Sequence, residues 1–301
     1  MLLKAEPYII QEVERMKQLV VGLETSPHLV IIRVGDDMAS GVYIRNKIKM
    51  CDEIGIRSTV LEYKADITTE ELMIIIEHYI NNDPDVTGCI VQLPLPKHIN
   101  ARMVLDTIDP VKDVDGLGSQ QIGWMHTGDN RLLYPCTPKG IVDLMKFYDI
   151  QIKGQNVGII NASEIVGKPL AELILKEKGT PTICHIDTRD VKEVLKHSDI
   201  VVTAIGHAGY FRHYDFNPGT TIIDVSMNRN SEGKLCGDVE KRDYDILMEM
   251  GCNLTPVPGG VGRTTVLSLM KNVIKARYRQ IESDLDRIHD NLVRKLESRD
   301  K

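Results

Sequence analysis

A chain of 301 residues has length enough for two ordinary domains and more than a single core usually serves. Its formal charge of −6 is spread along the chain in both signs, so no basic stripe suggests nucleic acid or an anionic membrane surface, and small-molecule chemistry is favoured. The N-terminus MLLKAEPYII lacks a long apolar core and a small-residue cleavage site, no apolar run approaches membrane length, and the six cysteines have no C-x-x-C spacing. These features predict a cytoplasmic protein in a reducing compartment with no metal site. Cys184 and His185, the nearest approach to a ligand pair, read as buried strand-end residues.

In chain order, apolar residues from Glu6 to Leu23 recur at helical spacing, and His28 to Val34 reads as a buried strand closed by Gly35-Asp36-Asp37. A helix follows over Ser40 to Ile54, with Ser40 as N-cap. It carries Tyr43 and Lys47 four residues apart, hence on one face. An aromatic ring can stack on a flat heterocycle while a nearby amine moves protons, which lysine does best when desolvated. Alone, this pair more often describes a solvated helix face.

Arg57 to Tyr63 is predicted as a strand, Thr68 to Asn81 as a helix opened by the capping box Thr68/Glu71, and Gly88 to Leu93 as a third buried strand. Alternation at this rhythm implies βαβ units and a mostly parallel sheet, with ligands gathering at the carboxyl ends of the strands. Gln92 sits at such an end. The prolines of Leu93-Pro94-Leu95-Pro96 force the chain out of the sheet. After a short helix near Ala101 to Ile108, Asp113-Val114-Asp115-Gly116 forms a turn that lets a carboxylate face a ligand.

Thr137-Pro138 reads as a helix start, Thr as cap and Pro in the first turn, and the domain change is placed there. Strands over 156–160, 182–185, 200–204 and 221–225 alternate with helices over 167–177 and 189–197, giving a second αβ domain. The turn after its first strand, Asn161-Ala162-Ser163-Glu164-Ile165-Val166-Gly167-Lys168-Pro169, stands where a dinucleotide fold keeps its phosphate loop, although it is not G-x-G-x-x-G. The loop Thr255-Pro256-Val257-Pro258-Gly259-Gly260-Val261-Gly262 indicates either close backbone approach to a ligand or a tight turn. A helix follows over 264–278. Ile281, Leu285, Ile288, Leu292 and Leu296 then continue an apolar stripe through a charged tail, predicted as a helix that is docked or paired.

Placed together, these segments resemble the bifunctional methylenetetrahydrofolate dehydrogenase and methenyltetrahydrofolate cyclohydrolase family. The resemblance covers nearly the whole chain through VGDDMASGVYIRNK, VQLPLPKHI, PVKDVDG, YPCTPKGI, SEIVGKP, Gly237-Asp238-Val239 and TPVPGGVG, in that order. Short-chain dehydrogenases also use Tyr-x-x-x-Lys, but downstream of the phosphate loop, whereas Tyr43 and Lys47 precede Asn161 by a whole domain. The resemblance implies two αβ domains: a folate-binding catalytic domain over 1–136 plus 270–301, and a Rossmann-like dinucleotide domain over 137–269. It also implies a homodimer. Lys47 would be the catalytic lysine of both steps, with Tyr43 against the folate ring, Gln92 bonded near Lys47 and Asp115 on the pterin edge. Pro258, Gly259 and Gly260 would line the substrate cleft. Thr137, Asn161, Ala162, Ser163, Ile165, Val166, Ile186, Asp187 and Gly262 would face the dinucleotide.

The chain departs from the family chiefly on the dinucleotide side. Asn161-Ala162-Ser163 stands for a usual Gly-Arg-Ser, and Ile186 for a serine after Cys-His, so two contacts to the 2′-phosphate of NADP, the family's usual cofactor, are absent. Asp187 stands near where a fold selecting NAD keeps a carboxylate on the ribose. Asn161 is the milder change if the position needs a left-handed dihedral, which Asn tolerates. Ser226 replaces a glycine, and Arg263-Thr264 a Pro-Met. The expected function is interconversion of 5,10-methylene-, 5,10-methenyl- and 10-formyl-tetrahydrofolate, with NAD favoured. The alternatives are a cyclohydrolase with a decayed dinucleotide pocket, or a folate-binding scaffold without turnover.

Overall fold

A computed structural model describes residues 1–297, and the side chains of residues 38, 39 and 287–297 lie outside what it describes. The elements are α1 (Ala5–Val21), β1 (His28–Val34), α2 (Met38–Ile54), β2 (Arg57–Tyr63), α3 (Thr69–Ile76), β3 (Gly88–Val91), α4 (Ala101–Thr107), α5 (Ser119–Thr127), α6 (Cys136–Phe147), β4 (Asn156–Ile160), α7 (Gly167–Lys176), β5 (Thr180–Cys184), α8 (Val191–Lys196), β6 (Ile200–Thr203), β7 (Thr221–Asp224), β8 (Asn228–Arg229), β9 (Leu235–Cys236), α9 (Tyr244–Glu249), β10 (Asn253–Leu254) and α10 (Val261–Glu297). The chain divides into two compact units: 16–120 with 270–301, and 1–15 with 121–269.

The unit holding 16–120 has a parallel sheet ordered β2-β1-β3. Its central strand β1 is apolar because both its faces are covered, and Val30, Ile32, Leu72, Ile76, Ile80, Val91 and Val104 pack as one core. The capping box Thr68/Glu71 opens α3 as expected. The helix ends in a π turn over Glu77–Asn81, and the buried Lys112 ammonium binds its end: Nζ donates to the oxygens of Ile80 at 2.7 Å and Asn81 at 3.1 Å within the turn, and of Asp83 at 2.7 Å just beyond it.

The other unit carries a five-stranded parallel sheet ordered β10-β7-β6-β4-β5, with Leu3, Ile141, Ile159, Leu170, Ile174, Val202 and Ile223 in the core on one side. The apolar run of β4 and β6 is what a sheet covered on both faces requires. This division differs from the expected one at two places. Residues 1–15 join the five-stranded unit because Leu2 bridges Leu254, Leu3 N–H donates to Leu254 O at 2.8 Å and Leu3 is buried in its core. Residues 121–136 join it too, the buried Gln121 accepting from Leu133 N–H at 2.8 Å.

Three local expectations change. Asp37, rather than Ser40, caps α2, its carboxylate accepting from Ser40 N–H at 2.6 Å, because a charged acceptor complements the helix dipole better than a hydroxyl. Thr137 does not cap α6, which starts one residue earlier, and its Oγ1 accepts from Thr265 Oγ1 at 3.2 Å. The helices expected over 264–278 and in the tail are one helix, α10. Leu285 in its stripe is exposed, while the side chains of Ile288, Leu292 and Leu296 lie outside the described residues. None of the helices among the described residues is long and apolar enough to cross a membrane.

Candidate active site and dinucleotide crevice

In the three-stranded unit, α2 carries Tyr43 and Lys47 on one half-buried face, while Arg45 and Asn46 between them are exposed. Lys47 Nζ donates to Gln92 Oε1 at 2.9 Å. Gln92 is fixed from two directions. Its backbone N–H donates to Ile32 O at 2.8 Å, continuing the ladder past β3, and its Nε2 donates to Leu93 O at 2.7 Å. The amide oxygen is therefore presented to the ammonium, and one donor direction of Lys47 is set by the sheet itself. The Asp113-Val114-Asp115-Gly116 turn adds to the outer edge of β3 through a parallel bridge between Cys89 and Asp113.

The two aspartates of that turn have different jobs. Asp113 is buried, takes the N–H groups of Gly116 at 3.0 Å and Gly118 at 2.8 Å, and is pushed by burial up to about 6. Asp115 is half-buried. The structure thus brings Lys47 and Gln92 into direct contact and places Asp115 two residues beyond the bridge on β3. Pro258, Gly259 and Gly260 belong to the other unit. Their glycines are explained by the loop itself: Gly259 has φ +112°, and a Cβ on Gly260 would stand 2.8 Å from Pro256 O.

In the five-stranded unit, strand order reverses between β4 and β6, so the ligand crevice lies outside their carboxyl ends. Asn161, Ala162, Ser163, Ile165 and Val166 form the loop from β4 to α7. A Cβ on Gly167 would stand 1.9 Å from Asn161 O, the close strand-to-helix approach for which a dinucleotide fold needs glycine. A parallel sheet, a switch point and this glycine-dependent cradle together fit a nicotinamide dinucleotide. Asn161 itself does not have a left-handed backbone; Asp149 and Lys178 are the non-glycine residues with positive φ among the described residues. The Asn161 amide is engaged instead, Nδ2 donating to Ala204 O at 2.7 Å. Ile186 is 98% exposed at the end of β5, beside the exposed Asp187. Cys184 is buried but His185 is exposed, against the expectation that both would be buried, because the strand ends at Cys184. Among the described residues no cluster of ligating side chains could hold a metal.

In the sequence Gly237-Asp238-Val239 stands out only as a motif. Asp238 is a fully buried hub: Oδ2 accepts from Thr203 Oγ1, Ile205 N–H and Ser226 Oγ, and Oδ1 from His207 N–H and Asn228 Nδ2, all at 2.7 to 3.0 Å. Ser226 Oγ also accepts from Gly206 N–H at 3.0 Å, so the serine at this glycine position fastens the loop leaving β6. Next to it, a Cβ on Gly237 would stand 2.0 Å from Asp224 Oδ2. Burial pushes the Asp224 carboxyl up to about 7, and the Asp238 charge pushes the same way against the restraining N–H of Val239.

An acid raised from 3.8 to about 7 by folding contributes stability that is complete below pH 4 and is lost as pH rises through 7. The expected result is a melting temperature that falls from pH 5 to 8, with on the order of 3 kcal/mol lost at the upper end. The Asp224→Asn variant should flatten that fall; an unchanged slope in thermal denaturation refutes the assignment.

Residues 4–115 match the family model for the tetrahydrofolate dehydrogenase/cyclohydrolase catalytic domain, and residues 135–281 match the model for its NAD(P)-binding domain. The chain belongs to the tetrahydrofolate dehydrogenase/cyclohydrolase family. It is 45% identical over 251 residues, 83% of this chain and 88% of the relative, to the bifunctional protein FolD of Agathobacter rectalis. Among solved structures, the bifunctional FolD methylenetetrahydrofolate dehydrogenase/cyclohydrolase of Campylobacter jejuni has a TM-score of 0.88 at 36% identity, covering 93% of this chain and 99% of that one. The Trypanosoma brucei enzyme, complexed with NADP and an inhibitor, has a TM-score of 0.87 at 30% identity, covering 93% and 98%. The cofactor class is thus a nicotinamide dinucleotide, and the two-domain α/β architecture is that of the family.

Proposed function

We propose that this chain oxidises 5,10-methylene-tetrahydrofolate with a nicotinamide dinucleotide and hydrolyses the methenyl product to 10-formyl-tetrahydrofolate. The observation that carries the reading is the 2.9 Å bond from Lys47 to Gln92, on segments within the matched catalytic domain. A bound dinucleotide supplies the hydride acceptor. Everything else falls to the protein's own groups. Tyr43 packs on the folate ring, and Asp115 accepts from the N–H groups of the pterin edge in charge-assisted bonds.

Lys47 works as base and acid in the second step. Water adds to the methenyl carbon and loses a proton to the Nζ amine; the ammonium then returns that proton to the ring nitrogen as its bond to carbon breaks, and the hydroxyl of the adduct releases its own proton to solvent as the formyl C=O forms. Gln92 keeps the amine aimed by accepting one of its hydrogens, leaving the others for water and substrate. Measuring both half-reactions spectrophotometrically with NAD, NADP and no dinucleotide tests the reading. Absence of methenyl hydrolysis would refute it.

On the dinucleotide side, Thr137, Asn161, Ala162, Ser163, Ile165, Val166, Ile186, Asp187 and Gly262 face the cofactor, and NAD is preferred over NADP. Support comes from Ala162 and the exposed Ile186 standing where anion contacts are usual, and from the exposed carboxylate of Asp187 beside them. The enzyme is cytoplasmic and works as a homodimer. Light scattering should return twice the 33.9 kDa chain mass, and a monomer at assay concentration would refute the dimer.

A further inference from the structure

Asn161 crosses the crevice in which the dinucleotide is expected. It opens the loop leaving β4, and Ala204 opens the loop leaving β6, the two strands that flank the switch point. Asn161 Nδ2 donates to Ala204 O at 2.7 Å, tying one loop to the other. Its Oδ1 accepts from Ser163 N–H at 2.9 Å, Ser163 Oγ at 2.6 Å and Gly167 N–H at 3.0 Å. Gly167 is the first residue of α7, the ten-residue helix whose N-terminus is the pyrophosphate site of such a fold. Two backbone donors and a hydroxyl that a phosphate oxygen would take are therefore held by the protein's own amide oxygen. The glycine usual at this position has no side chain with which to hold them.

We propose that Asn161 is an internal competitor of the dinucleotide phosphates, and so a residue that sets cofactor affinity. The inference rests on the reading that a dinucleotide binds this domain. The phosphate is the stronger acceptor, since charge-assisted bonds are roughly twice as strong as neutral ones, so it displaces the amide. Displacement requires the side chain to swing off three donors and off Ala204 O. Only the fraction of molecules with the amide withdrawn is competent, and the apparent dissociation constant rises by the inverse of that fraction.

Three substitutions give a signed series that a structural role would not reproduce. Asn161→Ala and Asn161→Gly empty the donors and should bind NAD about tenfold more tightly. Asn161→Asp keeps the shape but seats a carboxylate on the same N–H groups, where the helix dipole holds it and its charge opposes the pyrophosphate, so binding should weaken about tenfold. The measurement is calorimetric titration of the full chain with NAD and with NADP, with circular dichroism confirming each fold. Should the alanine variant fail to fold, the glycine variant, which removes the same amide, carries the test.

A side chain that merely props the loop predicts the opposite order, alanine weaker than wild type, and that result overturns the proposal. Equal affinity across the series also overturns it, as does an absence of binding in every variant. Oxidation of methylene-tetrahydrofolate by the wild-type chain, assayed alongside, tests the underlying reading separately. Turnover with unchanged affinity across the series removes the inference and leaves the reading standing.

Discussion

Replacing Lys47 by methionine should lower methenyl-tetrahydrofolate hydrolysis by about 10² to 10⁴-fold, the usual contribution of a positioned acid and base, without lowering the melting temperature. The stability half of this expectation follows from where the residue sits. Lys47 is half-buried on α2, and it bonds to Gln92, itself half-buried. Methionine has similar length and tolerates irregular packing, and water can satisfy the freed Gln92 oxygen. The activity half follows from the bond geometry. Gln92 is locked by Ile32 O and Leu93 O and has no proton to exchange with a folate, so its part is to aim the amine. Retention of wild-type turnover in Lys47→Met would sink the assignment. A fold that melts early would show instead that the pair is a strut. Methylene-tetrahydrofolate oxidation, measured on the same variant, should fall with hydrolysis, because one lysine is assigned to both steps.

β1, β4 and the capping box of α3 are legible in the sequence because each rests on local chemistry: a run of apolar residues buried on both faces, or a hydroxyl facing a glutamate three residues on. The Tyr43/Lys47 pair was legible as a shared helix face, but its meaning was not, since the Gln92 that completes it is 45 residues away in sequence and meets Lys47 only through the sheet. The pairing is a product of topology.

Other features were hidden for the same reason. That Asp37 caps α2 depends on where the chain leaves β1. That residues 1–15 belong with the five-stranded unit depends on Leu3 meeting Leu254 across 251 positions. The Asp238 hub gathers donors from the loops after β6 and β7, which no window of sequence shows. Asn161 is the instructive case. Its composition change was visible, but backbone tolerance was the wrong reason for it. The residue has an ordinary φ, and its side chain is what matters.

Initial rates of methylene-tetrahydrofolate oxidation should be at least about tenfold higher with NAD than with NADP, and Asp187→Ser should narrow that ratio. The two cofactors differ by a doubly charged phosphate on the adenosine ribose. A carboxylate about 5 Å from such a group, even at the dielectric of water, opposes it by roughly one power of ten in binding. Residues 185–190 in the turn after β5 carry Asp187, Arg189 and Asp190, so the turn is net negative when His185 is neutral. Asp190 is committed to capping α8 through Glu193 N–H at 3.1 Å. Asp187 has no such commitment to a helix, and its side chain is 85% exposed, with His185 Nδ1 3.8 Å from its carboxylate. Arg189 is the fixed positive charge of the turn and favours a phosphate, and its substitution by alanine separates the two influences. If Arg189 dominates, NADP is the better substrate in the wild type and loses its advantage in Arg189→Ala, and the assignment to NAD fails. If Asp187 dominates, NAD leads in the wild type, Asp187→Ser brings the two cofactors together, and Arg189→Ala changes the ratio little.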